Sequence, residues 1–445
     1  MLEVLANRTY RHLFLAQVIA LVGTGLLTVA LALLAYELAD AEAGAVLGTA
    51  LAIKMIAYVG VSPVVGGFAD RLPRRAFLVS MDIVRAGIAL LLPFVTEVWQ
   101  IYLLIFLLQS ASAGFTPTFQ AAIPDVLPDE RGYTRALSLS RLAYDLESLL
   151  SPALAAVLLT VIGFHWLFGG TFLGFLASAA LVLSVRLPAP ARTVPSGGFF
   201  ARTTRGLRIY LATPRLRGLL LLNLSVAAAG AMVIVNTVVI ARGNLGGDNK
   251  DVALALACFG GGSMLAALLL PRVLDRTGDR PVMLAAAVAL GALLLIFSQI
   301  TGVAADVYWL VLLAVWALLG FGYSSILVPT GRLLRRSAHP GDRPAVYAAQ
   351  FSLSHACWLL TYPLAGWLGL AAGIPATLIV LGLITLAGCA LAALLWPAHD
   401  PNVVPHRHPE LPATHAHLEA NERGGRHAHA YVIDELHPAW PTARN

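Results

Sequence analysis

The sequence predicts an all-α membrane protein with twelve transmembrane helices in two pseudo-symmetric six-helix bundles. Three observations lead to this fold class: the composition, a series of long apolar runs, and short motifs that recur in both halves. Of the 445 residues, 58% are hydrophobic and only 12% are charged, and the mean hydropathy is +0.77. A soluble domain carries about 25% charged residues. The composition therefore excludes an ordinary soluble enzyme and a disordered chain.

Twelve apolar runs are long enough to cross a bilayer, whose core of about 30 Å needs about 20 residues per helix. They are 12–36, 43–69, 76–96, 100–123, 134–162, 165–187, 218–241, 252–272, 281–299, 307–330, 345–368 and 374–396. The first run lacks a small-residue cleavage site and is too long for a signal peptide, so we interpret it as a helix. Residues 188–217, rich in Pro, Gly and Arg, are predicted to link a bundle at 1–187 to a bundle at 218–396.

Positive charge is concentrated on one side of the predicted membrane. The loops of that side contain most of the arginines, among them Arg8, Arg74, Arg131, Arg205, Arg280 and Arg335. The loops of the opposite side contain only Arg242 and Lys250. Because loops rich in Lys and Arg stay in the cytoplasm, both termini and the linker are predicted to be cytoplasmic.

Short motifs recur in the same order in the two predicted bundles. Asp70-Arg71 recurs as Asp275-Arg276, Gln17 as Asn223, Pro117-Thr118 as Pro329-Thr330, and Ser138–Arg141 as Ser352–His355. Four matches in chain order indicate an internal duplication. Two repeated halves around a site at the membrane midplane are typical of a transporter that works by alternating access.

Residues Gly66–Arg75, between the second and third runs, read GGFADRLPRR. This stretch resembles the cytoplasmic signature of the major facilitator superfamily, G-x-x-x-D-R-x-G-R-R, with Pro73 in place of its second glycine. A weaker copy spans Pro271–Arg280 and opens with proline instead of glycine. The resemblance covers residues 1–396 and implies the superfamily fold and secondary transport by alternating access.

Two further features bear on the subfamily. The fourth run has no arginine upstream of Gln109, so the R-x-x-Q-G pattern of many drug/proton antiporters is missing and proton-coupled drug export does not follow from the resemblance. Within the superfamily, the overall pattern and a His-rich C-terminus most resemble the bacterial nickel-resistance type of efflux carrier. This resemblance implies a multi-pass protein of the bacterial inner (plasma) membrane.

The signature loop and its copy are the predicted gate. An aspartate at a helix end accepts hydrogen bonds from a neighbouring helix N-terminus, and arginines bind facing carboxylates, so such contacts can hold the cytoplasmic side closed. The resemblance implies the same gating role. The predicted gating residues are Asp70, Arg71, Arg74, Arg75, Asp275 and Arg276. In the alternative interpretation, the arginines only set the topology.

Four ionisable residues lie deep in predicted helices: Lys54, Arg141, Asp145 and Glu147. A charge near the bilayer centre costs about 2.5–3.5 kcal/mol or more, so it is usually paired or functional. Asp145 and Glu147 are two residues apart and point to nearly opposite helix faces. We expect one acid, preferably Asp145, to face a central cavity as a proton or cation site. The other would neutralise Lys54 or Arg141, unless all four form one structural network.

Further polar residues of the predicted path come from the repeats. His355 corresponds to Arg141 and could bind a transition metal or relay a proton. Gln17 and Asn223 lie on the first helix of each half and could bind a substrate or only join helices. Asp82 and Arg85 are three residues apart in the third run and are predicted to form a structural pair.

Residues 397–445 are predicted to form a disordered cytoplasmic tail that holds eight of the twelve histidines. Three His-x-His pairs are predicted metal ligands: His406/His408, His415/His417 and His427/His429. Imidazole suits Zn, Cu and Ni. Alternatively, the tail binds metals only adventitiously.

The predicted function follows from these sites. No Gly-Lys-Ser/Thr loop for nucleotide phosphates is present and no nucleophile–base pair stands out, so we predict a carrier and not an enzyme. We expect proton-coupled export of a divalent cation, nickel or cobalt, by a monomer in membrane lipid, with no resident cofactor and no nucleic-acid partner. The alternatives are export of an organic solute or drug, with the tail incidental, and a membrane sensor that transports nothing.

Overall fold

The computed structural model describes residues 2–39, 43–66, 72–188, 199–246, 249–300, 304–401, 403–406, 417, 422–423 and 426–441. The helices are α1 Arg8–Ala39, α2 Ala43–Gly66, α3 Arg74–Leu91, α4 Val98–Val126, α5 Glu130–Leu159, α6 His165–Leu183, α7 Phe199–Ala212, α8 Pro214–Val238, α9 Asn249–Thr277, α10 Asp279–Ser298, α11 Ala305–Arg336 and α12 Arg343–Leu395. Gly373, with φ of 79°, divides α12 into two helical parts.

The membrane-spanning character of the described helices agrees with the apolar runs. Within the part of the chain that the structure describes, nine stretches are long and apolar enough to cross a membrane. α2 adds a shorter apolar stretch, Ala52–Val65, and α5 carries Arg141 and Glu147 in its interior. Counting both parts of α12, these described residues form twelve long helical segments besides α7. The predicted all-α membrane fold is confirmed.

Local sequence signals place the helix starts. Asp129 accepts a hydrogen bond from the backbone N–H of Gly132 at 2.6 Å and caps α5. Glu97 and Gln100 form a reciprocal capping box at the start of α4. Such caps satisfy backbone donors that have no partner inside the helix.

The predicted linker contains a helix, α7, that packs on the start of α12. Arg205 binds Asp342 at 2.6 Å, and the buried Tyr210 hydroxyl donates to Gln350 at 2.5 Å. A Cβ on Gly206 would lie 2.1 Å from the carbonyl oxygen of Ala345. The linker is therefore attached to the C-terminal half along α7, while the predicted boundaries 188–217 stay a prediction.

Each half has its own apolar core. In the N-terminal half, α1–α6, one core surrounds Leu34 and Phe168 and a second surrounds Leu13 and Tyr133. The C-terminal half, α8–α12, is built around a core that includes Trp316. The end of the bundle at which α3 and α12 begin and α11 ends is called the basic end, after its arginines.

Glycines allow α9 and α11 to approach until their backbones touch. A Cβ on Gly262 would lie 1.8 Å from the carbonyl oxygen of Ala317, and a Cβ on Gly320 would lie 1.8 Å from that of Phe259. Rotation of a side chain could not relieve either clash, because the opposing atoms belong to the backbone. Small residues at helix contacts are a typical way to pack membrane helices closely.

Gly262→Ala is therefore expected to destabilise the C-terminal half by about 1–3 kcal/mol, the usual cost of overpacking. The adjacent Gly261→Ala is the matched control, since a Cβ there meets no atom within 4 Å. Thermal unfolding of both purified variants in detergent checks this, and equal midpoints would contradict the packing described.

The described part of the C-terminal tail is folded, whereas the sequence predicts disorder. Strands β1 Val403–Pro405, β2 Glu422–Arg423 and β3 Arg426–Ala430 form an antiparallel sheet in the order β1-β3-β2. Tyr431 and Ile433 join the core of the C-terminal half. This correction has a simple cause: a short apolar anchor inside a polar segment buries enough surface to fix the chain around it.

A polar contact also holds the tail to the basic end. Asp400 binds Arg336 and lies 3.4 Å from Arg215, and it accepts a hydrogen bond from the Trp396 indole at 3.0 Å. The Arg215 guanidinium lies 4.8 Å from the ring centre of Trp440. Arg215 is almost fully buried, so these partners replace the water that its charge loses.

Candidate functional site

Asp125, at the end of α4, is bound by arginines from both halves. Arg74, the first residue of α3, forms an ion pair with Asp125 Oδ2. Arg343, the first residue of α12, donates from Nη1 to Asp125 Oδ1 at 2.8 Å. The Arg74 side chain is 1% exposed and that of Asp125 15%, so water weakens the attraction only in part. Asp125 therefore joins the two halves at the basic end.

Two arginines of α11 make a second connection at the basic end. Arg332 donates to Glu130 of α5 at 2.7 Å, and its Nε lies 3.2 Å from Asp279 of α10. Arg335 donates to the backbone carbonyl of Pro128. Charge-assisted hydrogen bonds of this kind are about twice as strong as neutral ones.

Buried polar contacts continue this closure toward the middle of the bundle. The hydroxyls of Tyr133 and Tyr347 lie 2.5 Å apart, with one residue in each half. Ser62 of α2 donates to the carbonyl of Ala348 in α12 at 3.0 Å. Both pairs are shielded from water, so in this conformation the basic end is closed.

The signature loop is only partly described. Asp70 and Arg71 lie outside the described residues, and their predicted gating role stays a prediction. Arg74 contributes to the closure through Asp125. Arg75 donates instead to the carbonyl of Leu183 in α6, within its own half.

The second copy of the signature lies at the surface of the same end. Asp275 and Arg276 are exposed, and Asp275 lines a cavity of about 350 Å³ together with Glu130 and Arg332. Asp125 is absent from the gating residues that the sequence predicts. A signal was available, because Asp125 is an acid at the end of a predicted helix on the arginine-rich side.

Arg141 of α5 crosses from one half to the other near mid-depth. Its Nε and Nη2 atoms each lie 3.2 Å from the Ser263 hydroxyl in α9. Its guanidinium carbon lies 4.9 Å from the ring centre of Tyr323 in α11. Arg141 is eleven residues beyond Glu130, the first residue of α5, which corresponds to a depth of about 16 Å.

Lys54 and His355 meet through an aromatic side chain at similar depth. The Lys54 ammonium lies 5.6 Å from the ring centre of Tyr58. The Tyr58 ring contacts His355 of α12, with centroids 4.7 Å apart and planes at 89°. The Tyr58 hydroxyl donates to Gln109 at 2.7 Å. A cation above a ring face is attracted by the ring quadrupole, so this group holds bases of both halves together.

Aromatic rings continue from Arg141 into the C-terminal half, beginning with Tyr323. The Tyr323 ring lies 6.3 Å from that of Trp358, and Trp358 lies 4.9 Å from Tyr362. The name central cluster is used here for six residues: Lys54, Tyr58, Arg141, Tyr323, His355 and Trp358. A few polar groups among aromatic walls are typical of a site for a small organic molecule.

Glu147 borders the central cluster on the side of α1. A Cβ on Gly25 would lie 2.1 Å from the Ser151 side chain and 2.8 Å from Glu147 Oε1, so the glycine makes room for both side chains. Glu147 and Lys54 interact electrostatically. The side chain of Asp145 lies outside the described residues, and the choice between the two acids stays a prediction.

The two predicted amides have different surroundings. Gln17 of α1 accepts a hydrogen bond from Ser140 at 3.0 Å, next to Arg141. Asn223 donates to the carbonyl of Leu219 in its own helix at 2.8 Å and is buried. The structure thus joins Gln17 to α5 inside the N-terminal half, and the contact described for Asn223 stays within α8.

The predicted pair of Asp82 and Arg85 in α3 is confirmed. The two side chains form a buried ion pair, and Ser178 of α6 donates to Asp82 at 2.8 Å. The guanidinium of Arg85 lies between the rings of Phe115 and Phe175, at 4.1 and 4.5 Å. All five residues belong to the N-terminal half, so this pair acts inside one bundle.

The predicted metal ligands of the tail are partly described. His408 and His415 lie outside the described residues. His406, His417 and His429 come together with His437, a residue that the His-x-His pattern did not include. His427 adjoins them, with its Nε2 atom 3.1 Å from that of His417.

The structure consists of two helical halves, which are joined by charged residues at one end and by a polar and aromatic cluster at mid-depth. This architecture is that of a membrane transporter of the major facilitator superfamily. The chain belongs to its transmembrane secretion effector family, whose model matches residues 2–328.

Curated relatives of the chain are bacterial transporters at low identity. The uncharacterised transporter YkuC of Bacillus subtilis is 26% identical over 208 residues, and the match covers 46% of this chain but only 47% of YkuC. Macrolide efflux protein A of Enterococcus faecalis is 23% identical over 50% of this chain and 73% of its own length. The multidrug efflux pump Tap of Mycolicibacterium fortuitum is 24% identical over 76% of this chain and 85% of its own length.

Solved structures share the fold. The human organic anion transporter TETRAN superposes with a TM-score of 0.71 at 14% identity, over 86% of this chain and 99% of its own. The Escherichia coli fucose:proton symporter gives a TM-score of 0.68 at 14% identity, over 87% of this chain and 98% of its own. At this identity the likeness shows the fold alone.

Proposed function

We propose that the chain is a secondary carrier that exports an organic solute across a bacterial plasma membrane by alternating access. The observation that carries the proposal is the central cluster, where aromatic rings and two bases of opposite halves meet near mid-depth. A solute bound there contacts both halves at once. Movement of the halves about the solute would then change the side to which it is exposed.

The chemistry of the central cluster favours an organic solute over a metal ion. Lys54 and Arg141 bring positive charge, which repels a free divalent cation, and His355 is the single imidazole among the described residues of the cluster. Two relatives are named for export of macrolides and of several drugs. Export of nickel or cobalt gains no support from these names.

The closed basic end corresponds to one step of the proposed export cycle. Loops rich in arginine stay in the cytoplasm, so we assign the basic end and the attached tail to the cytoplasmic side. The conformation described here then corresponds to a carrier closed toward the cytoplasm. An exporter passes through this state when it releases its solute outside.

Proton coupling is part of the proposal. Glu147 is a half-buried acid beside the central cluster and interacts with Lys54. A carboxyl group in this position can take up a proton from outside and lose it toward the cytoplasm, and each change alters its attraction to Lys54. This makes Glu147 the candidate coupling residue among the described side chains.

Transport by everted vesicles tests the proposed function. Vesicles that contain the chain and are energised by a pH gradient are expected to accumulate a labelled macrolide or an organic dye, but not Ni²⁺ or Co²⁺. Hydrogen bonds to a charged group contribute about 1.5–3 kcal/mol, so Arg141→Gln is expected to lower organic-solute transport roughly 10- to 100-fold.

Arg208→Gln, on an exposed part of α7, is the matched control and should transport normally. Accumulation of the metal ions without any organic probe would contradict the proposal.

A further inference from the structure

Four histidine side chains of the folded tail converge on one point. His406 follows β1, His429 lies in β3, and His417 and His437 lie beside the sheet. One ring nitrogen of each lies within 4.8 Å of those of the others. These four residues are called the tail histidine cluster.

The hydrogen bonds of three rings fix where their protons lie. His406 Nδ1 and His429 Nδ1 contact backbone carbonyl oxygens at 2.8 and 2.9 Å, and His437 Nδ1 contacts Asp434 Oδ1 at 2.7 Å. Carbonyl and carboxylate oxygens only accept, so each Nδ1 atom must donate. In a neutral imidazole, Nε2 then carries a lone pair.

The lone pairs are directed at one another. His406 Nε2 and His437 Nε2 lie 3.1 Å apart. His429 Nε2 is buried and has no hydrogen-bond partner among the described residues. Two facing lone pairs repel unless a cation lies between them. A tetrahedral ion with bonds of about 2.0–2.1 Å separates its nitrogen ligands by about 3.4 Å, close to the 3.1 Å between His406 Nε2 and His437 Nε2.

We propose that the tail is a metal-binding module in which His406, His417, His429 and His437 hold one divalent transition-metal ion. Imidazole nitrogen is a preferred ligand of zinc, nickel, copper and cobalt, whereas calcium and magnesium prefer oxygen. The site lies outside the central cluster, so the ion is a bound component of the tail and not the transported solute.

Asp434 contacts His437 through Nδ1, the ring nitrogen that does not face the proposed ion. Its carboxylate orients His437, as carboxylates commonly do for metal-binding histidines. It also lies 3.2 Å from Nε2 of His339, in the turn between α11 and α12. The ion would thus be linked to the basic end through a charged carboxylate.

Metal titration of the full-length protein tests the proposal. The chain is purified in detergent, stripped with a chelator, and titrated with Zn²⁺ and Co²⁺ against a chromophoric competitor. One ion per chain is expected, with the strong visible absorption of tetrahedral Co²⁺. His429→Ala and His437→Ala are expected to lose this ion, and exposed His399→Ala should retain it.

A second variant separates ligation from folding of the tail. Asp434→Asn keeps all four imidazoles and is expected to weaken binding about 10- to 100-fold. The proposal is overturned if the wild type binds no ion stoichiometrically, or if the cluster variants bind as His399→Ala does. The readout is metal content and absorption, so the result does not depend on which solute the carrier exports.

Discussion

Asp125→Asn is expected to open the basic end of the bundle. The carboxylate of Asp125 is shared by Arg74 and Arg343, and the amide leaves two arginines facing each other without a counter-charge. Arg74 and Asp125 belong to the same half, so only the contact with Arg343 distinguishes the closed state from the open one, and a hydrogen bond between charged groups contributes about 1.5–3 kcal/mol. Asp125 is partly exposed, so the lower part of that range applies. A loss of about 1.5 kcal/mol changes the ratio of closed to open carriers roughly 10-fold.

Cysteine accessibility measures this opening. Ser62 is fully buried between the halves behind the gate, so Ser62→Cys reports whether a thiol reagent enters from the basic end. The expected result is a much faster reaction in the Asp125→Asn background than in the wild-type background. Asp306→Asn, an exposed acid in the first turn of α11, is the control. Equal reaction rates in all three backgrounds would show that Asp125 does not hold the gate.

Glu147→Gln is expected to abolish transport driven by a pH gradient while leaving exchange of solute for solute intact. The amide fills the space beside Gly25 but neither takes up a proton nor neutralises Lys54. Binding of the solute depends on the central cluster, which this substitution leaves in place. Proteoliposomes allow both activities to be measured on the same preparation.

Two further variants are measured in the same experiment. Asp306→Asn removes a carboxylate distant from the central cluster and should behave as wild type. Asp145→Asn, made in parallel, tests the other predicted acid of α5. If Glu147→Gln responds fully to the pH gradient, Glu147 is not the coupling residue.

Hydropathy predicts the helices because each span must form all its backbone hydrogen bonds internally and expose apolar side chains to lipid. Contacts within one helix were also predictable, as Asp82 and Arg85 illustrate with their spacing of three. The contacts that close the basic end were not predictable, because Asp125 and Arg343 are 218 positions apart. Only the packing of the two halves brings such residues together.

The tail shows a second limit of sequence patterns. Its polar composition predicts disorder, but Tyr431 and Ile433 attach it to the C-terminal core. The His-x-His pairs indicated metal binding and identified His406, His417 and His429. His437 has no such neighbour and enters the cluster only because the chain turns back after β3.

The central claim is that the two halves move about the central cluster and that the closed basic end opens during transport. The most direct test is the distance between spin labels at Arg131 and Thr277, exposed positions of opposite halves at that end. The expected result is one short distance in the resting carrier and a second, longer distance when solute is added or Asp125 is replaced by Asn. A distance that stays single and unchanged in both cases, in a preparation that transports, would contradict the claim.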